Sequence, residues 1–328
     1  MTEHSKIPVP PQNGNLPEGG SLFERAAERF DFKRYIATPH PGAKLAPPLA
    51  RAPRKAVPSE ASRETVPVEA GDAPVTADRP ATFPATRFPV DREVLRENGL
   101  IVPEGSVTGL LEEFRIVKRQ LLLQVAELRR QKASSRAQRV LISSPHSGEG
   151  KTYCALNLAL SMAAEKESDV LLVDADFGKP SVLSMLGLPS GPGLMDALVD
   201  EKADVASFVL GTDIPGLWVL PAGSTTAQDS EYLSSSRTDR VLDRLTQGAP
   251  NRIVIFDSPP VLAASLPAEL AKHAGQVVVV VRADSTGQGA LEDAVSLLSA
   301  CPNIQLLLNG AQFSPSGRSF GTYYGLRE

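Results

Sequence analysis

The residues best placed to do chemistry lie in one short stretch, Ser143-Ser144-Pro145-His146-Ser147-Gly148-Glu149-Gly150-Lys151-Thr152. An apolar run, Val140-Leu141-Ile142, leads into it, and a helical pattern from Tyr153 to Ala164 leads out. Strand, glycine-bearing turn, Gly-Lys-Thr and helix is the order a phosphate-binding P-loop requires. The turn must curl so that successive backbone N–H groups point at one anion, and glycine permits the backbone angles this takes. The following helix aims its N-terminal N–H groups and positive dipole end at the same anion. On this reading Ser147, Gly148, Glu149, Gly150, Lys151, Thr152 and Tyr153 line the phosphates of a nucleotide. Lys151 reaches the β- and γ-phosphates, and the Thr152 hydroxyl sits on Mg²⁺. The strict pattern has Gly where this chain has Pro145. The rival reading is a glycine turn beside a stray lysine, and the flanking strand and helix argue against it.

Two acidic sites follow at the ends of apolar runs. Val170-Leu171-Leu172-Val173 runs into Asp174-Ala175-Asp176, and Ile253-Val254-Ile255-Phe256 runs into Asp257-Ser258-Pro259-Pro260. Mg²⁺ takes few protein ligands and keeps several waters, so one or two carboxylates beside the phosphates suffice. An Asp that closes a strand is often only a turn or cap residue. Three such features in this order are far more specific. Asp174 and Asp257 are therefore expected at the nucleotide–metal site, with Asp176 beside them.

The elements that must position these groups are legible from Ala137 onward. Apolar, β-rich runs appear at 139–144, 169–174, 217–221, 252–257, 276–282 and 303–309. Helical patterns fall between several of them, at 151–166, 231–246, 264–273 and 287–300. Continuous runs such as Val277-Val278-Val279-Val280-Val281 suit strands buried on both faces. The fold class is α/β, a mostly parallel sheet with helices on both faces. Ligands in such sheets bind beyond the carboxyl ends of the strands, where the P-loop lies. Ahead of this, Val107–Arg130 carries Leu110, Leu111, Phe114, Val117, Leu121, Val125 and Leu128 at helical steps. Its charged face holds Glu112, Arg115, Lys118 and Arg119. By periodicity alone it is a helix that covers the sheet and keeps its charges in solvent.

The remainder is compositionally different. Residues 1–105 hold 16 of the 28 prolines and no sustained apolar period, so they read as a disordered Pro-rich arm. Within it, Leu22–Tyr35 has an apolar helical face and reads equally as a docking helix or an adhesive patch. Residues 106–312 form the P-loop domain, and 313–328 a Ser/Gly-rich flexible tail with Tyr323 and Tyr324, two of the five tyrosines. The net charge of −4 gives no reason to expect nucleic acid. Cys154 and Cys301 suit a reduced compartment, with Cys154 in a core role. No Cys/His cluster has metal-ligand spacing, and no apolar run is long enough to span a membrane. The expected place is the cytoplasm.

The order GEGKT (148–152), NLA (157–159), LLVDADFGKP (171–180), GLMDAL (193–198), LWVLPAG (217–223), IVIFDSPPVL (253–262) and LLLN (306–309) resembles the bacterial tyrosine kinases (BY-kinases) of polysaccharide synthesis and export. These belong to the deviant-Walker P-loop ATPase superfamily, and the resemblance covers 107 to the C-terminus. The run EFRIVKR (113–119) is similar to the opening of the CpsD/CapB-like cytoplasmic autokinases encoded with exosortase-associated systems. The resemblance implies ATP and Mg²⁺ as cofactors and transfer of a γ-phosphoryl group to tyrosine. It implies Lys151 and Thr152 as Walker A residues, Asp174 and Asp176 as Walker A′, Asp257 as Walker B, and Asn309 on the adenine side. It implies Tyr323 and Tyr324 as acceptors on a neighbour's tail. Through an ExxRxxR-type helix it implies Glu112, Arg115 and Lys118 as contacts of a homo-oligomer, a ring in the family. This overturns the solvent reading of that face. Lys118 stands where the motif ends in Arg. The implied partners are a separate membrane-bound, Wzz-like chain-length regulator as activator, which would hold the protein at the inner face of the membrane, and a cognate tyrosine phosphatase.

Two rival functions stay open on sequence. One is a ParA/MinD-like ATPase that positions cargo without phosphorylating protein. His146 stands where that branch has its signature lysine and argues against it. The other is a degenerate scaffold that only binds nucleotide. It draws on Gly178, which replaces a frequent Arg beside Lys179, and on a tail with few tyrosines.

Overall fold

The computed structural model of the chain describes residues 81–131, 135–165, 169–226 and 228–311. The Leu22–Tyr35 segment and the tail with Tyr323 and Tyr324 lie outside them.

The strands are β1 (Arg87–Phe88), β2 (Arg139–Ser143), β3 (Asp169–Asp174), β4 (Leu210–Thr212), β5 (Leu217–Leu220), β6 (Arg252–Asp257), β7 (Gln276–Arg282) and β8 (Ile304–Asn309). They form one sheet in the order β1-β4-β5-β3-β6-β2-β7-β8. Every pairing is parallel except β4 with β5. The main helices are α2 (Gly109–Arg130), α3 (Lys151–Ala163), α7 (Ser236–Thr246) and α9 (Gln288–Leu297). Shorter ones are α1 (Arg92–Glu97), α4 (Val182–Leu186), α5 (Leu194–Val199), α6 (Asp229–Leu233) and α8 (Leu266–Ala271).

Successive side chains of a strand point to opposite faces, and here both faces are covered. Val140 and Ile142 pack with α2 and α3 on one side, while Leu141 packs on the other with residues of α5, α7 and α8. The same alternation runs through β3, with Val170 and Leu172 on the first side and Leu171 and Val173 on the second. This is why these strands read as unbroken apolar runs. Cys154 is buried in the first core, and burial pushes its thiol up to about 12. It is a packing residue.

Residues 81–105, expected to be part of a disordered arm, are ordered and built into the domain. Phe83, Val90, Leu95, Leu100 and Ile101 are buried. Phe83 meets Trp218 edge to face, with ring centroids 5.0 Å apart. Arg92 pairs with both Glu104 and Asp213. The Ile101 N–H donates to Asn157 Oδ1 at 2.8 Å. All but the Glu104 pair are long-range contacts, which a local period cannot reveal, and Pro84, Pro89 and Pro103 interrupt whatever period there is.

Candidate active site

The P-loop joins β2 to α3. Gly148 and Gly150 take left-handed backbone angles, with φ of 82° and 96°. A side chain at 150 is disfavoured by that angle, and its Cβ would lie 2.1 Å from Asn309 Nδ2, so the Asn309 amide would have to move. Pro145 has the negative φ that its ring imposes, and its carbonyl accepts from the Leu262 N–H at 3.3 Å. The first bond of α3 is from Cys154 N–H to Gly150 O. Among the described residues, the backbone N–H groups from Ser147 to Tyr153 donate to no protein group. A helix start leaves its first donors open, and the loop adds more of them. Such a cradle suits phosphates.

The two acidic sites arrive on the same sheet edge because β6 lies between β3 and β2. Asp257 is in register with Asp174 on one side and Ile142 on the other. Asp257 is fully buried, and neither carboxylate oxygen has a hydrogen-bond partner of proper geometry. Burial pushes it up to about 7, against the pull of the Lys151 ammonium and the nearby Thr152 hydroxyl. Asp174 is pushed up to about 6, again by burial. It accepts from the backbone N–H groups of Asp176, Ser181 and Val182, so it ties down the loop that follows β3. Asp176 Oδ2 lies 3.0 Å from Lys151 Nζ, and its Oδ1 accepts from the Lys179 N–H. Lys151, Thr152, Asp174, Asp176 and Asp257 are thus brought together.

Other expected site residues are occupied differently. Tyr153 donates its hydroxyl to Gly99 O at 3.1 Å and packs in the core, so only its backbone faces the cradle. The Glu149 side chain is buried and turned away from the cradle, toward Thr286 and the His146 N–H. Asn309 spends its amide on Glu149 O, against the loop itself. Lys118, expected at a subunit contact, is 5% exposed. Its Nζ lies 3.1 Å from Ser161 O and 2.7 Å from Glu165 Oε1, capping the last turn of α3. The reason is spacing: Lys118 falls on the stripe of Phe114, Leu121 and Val125. Glu112 and Arg115 pair with each other on the outer side of α2.

Two residues outside the expected set also meet the loop, Arg282 through Gly148 O and Thr286 through the Glu149 carboxylate. Both follow the valine run of β7 on the same sheet edge as the P-loop. Asn157 bridges α3 to residue 101.

An orphaned, buried carboxylate beside an open cradle of N–H donors, a lysine and a hydroxyl suits a nucleotide with Mg²⁺. Fold and site define a P-loop nucleotide-binding domain. A family model described as an AAA domain matches residues 137–310, more than half of the chain. Tyrosine-protein kinase YwqD of Bacillus subtilis is 30% identical over 219 residues, 66% of this chain and 87% of that protein. Tyrosine-protein kinase ptk of Acinetobacter johnsonii is 30% identical over 160 residues, 49% of this chain. This chain spans only about a fifth of that longer relative. The kinase domain of Escherichia coli tyrosine kinase ETK shares the fold, with a TM-score of 0.52 and 21% identity over 70% of this chain and 98% of that domain. The chain belongs to the bacterial tyrosine-protein kinase family.

Proposed function

We propose that the protein is an ATP- and Mg²⁺-dependent protein-tyrosine autokinase that regulates exopolysaccharide or capsule assembly. The observation that carries the nucleotide and Mg²⁺ part of this is Asp257, buried with both oxygens unpartnered, beside the lysine and hydroxyl of an open P-loop; membership of the tyrosine-kinase family supports the kinase part. An ionised carboxylate in that position is costly unless a cation or its water shell is there to meet it. Thr152 and Asp257 would hold Mg²⁺, with Asp174 beside them. The ion would supply charge neutralisation on the phosphates.

The protein's own part is positioning and electrostatics. The N–H groups of the loop and the start of α3 bind the phosphates. Lys151, now paired with Asp176, has a phosphate oxygen as its competing partner and would neutralise charge as the γ-phosphoryl leaves. Asp174 and Asp176 are the candidates to take or orient the tyrosine proton, and the affinity of Asp174 near neutrality suits that task. Tyr323 and Tyr324 of a neighbouring subunit's tail are the acceptors in this reading. Glu112 and Arg115 are the subunit contacts, and a separate membrane-bound chain-length regulator is the activator. Among the described residues no helix is long and apolar enough to cross a membrane.

The test is to incubate the full chain with ATP, Mg²⁺ and the cytoplasmic segment of the activator, then map phosphotyrosine by mass spectrometry. Phosphate on Tyr323 or Tyr324, absent in Lys151→Met, is expected. Failure to form any phosphotyrosine under those conditions sinks the reading.

A further inference from the structure

The P-loop is held from outside by the turns that follow β7 and β8. Arg282 Nη1 donates to Gly148 O at 3.0 Å, and Asn309 Nδ2 donates to Glu149 O at 2.9 Å. A trans peptide points its C=O and the next residue's N–H to opposite sides. Drawing these two carbonyls outward therefore turns the N–H groups of Glu149 and Gly150 inward, toward the phosphate seat. The Glu149 carboxylate completes the hold. One oxygen accepts from the His146 N–H at 2.7 Å and the other from the Thr286 hydroxyl at 2.5 Å. Thr286 in turn accepts from the Arg282 N–H at 2.9 Å. The turn that allows this is tight: Ser285 and Thr286 both donate back to Arg282 O. At its apex Asp284 takes a φ of 57°, the one non-glycine left-handed residue among those described. Backbone of that kind persists only where its surroundings enforce it.

We infer that Arg282 and Thr286, with Asn309, form a latch that aims the N–H groups of Glu149 and Gly150 at the phosphates of the nucleotide. They are positioning residues, and none need touch the nucleotide. The inference rests on the nucleotide reading of the site given above.

Calorimetric titration of the full chain with ADP in the presence of Mg²⁺ tests it. Thr286→Val removes the hydroxyl that grips Glu149, and Arg282→Gln shortens the donor to Gly148 O. Each is expected to weaken ADP affinity about tenfold or more, since a charge-assisted or loop-orienting hydrogen bond is lost. Thr286→Ser keeps the hydroxyl and is expected to restore affinity to within about threefold of the parent. The melting temperature without nucleotide is expected to shift by no more than about 3 °C in the variants. A Thr286→Val protein that binds ADP as tightly as the parent overturns the latch, as does failure of Thr286→Ser to restore binding. If Thr286→Val does not fold, Arg282→Gln decides, because that side chain is exposed. A parent chain that itself binds no ADP is a different result, and it removes the nucleotide reading and the latch together.

Discussion

At the scale of single residues, Asp257 sets burial against ionisation. Its carboxyl, raised to about 7 by burial, holds its proton more tightly in the folded chain than in the unfolded one. The folded state thus binds the extra proton between about pH 4 and 7. As far as this group is concerned, the metal-free fold is most stable below that window and loses stability as pH rises through it. Asp174, raised to about 6, acts in the same direction. Asp257→Asn should flatten this fall. At pH 8 without metal it should be more stable than the parent by roughly 2–4 kcal/mol, read by chemical denaturation. The same variant should lose the stabilisation that ATP and Mg²⁺ confer on the parent. A parent chain whose metal-free stability rises from pH 4 to pH 7 along with an unstabilised Asn variant would contradict this account.

At the scale of elements, α2 and α3 are joined by a charge. Lys118 caps α3 through Ser161 O, a carbonyl that the helix itself leaves open. Lys118→Met should keep the packing but leave that carbonyl and Glu165 unmet, at a cost of about 1–3 kcal/mol in denaturant unfolding of the monomer. If Lys118 were instead a contact between subunits, the Met variant would lose assembly without loss of monomer stability. Legibility divides at the same level. β2, β3, β6 and β7 were readable because burial on both faces makes them continuous apolar runs, and Gly-Lys-Thr marks the start of α3. The charges of α2 look like one face in the sequence, but the stripe through Phe114 and Leu121 passes directly under Lys118. β1 and β4, of two and three residues, are too short to carry a period. The grip of Thr286 on Glu149 joins residues 137 apart, and local pattern has no access to that distance.

At the scale of the whole molecule, the domain reaches back to residue 81. A chain begun at 106 should melt about 10 °C or more below one begun at 81, because burial of Phe83, Val90, Leu95, Leu100 and Ile101 is lost and each such side chain contributes about 1.5–3 kcal/mol. Equal melting of the two would show that residues 81–105 are an ornament. The register of β6 against β3 has a consequence for how such a chain can vary in length. Asp174, Asp257 and the entry to the P-loop sit on neighbouring rungs of one ladder. An inserted residue in a connecting loop leaves those rungs where they are. One residue inserted between Arg252 and Asp257 carries the carboxylate to the other face of the sheet or one step along it. Loops remote from the P-loop and from the turns that hold it can therefore lengthen, while the count from Arg252 to Asp257 is closed to change.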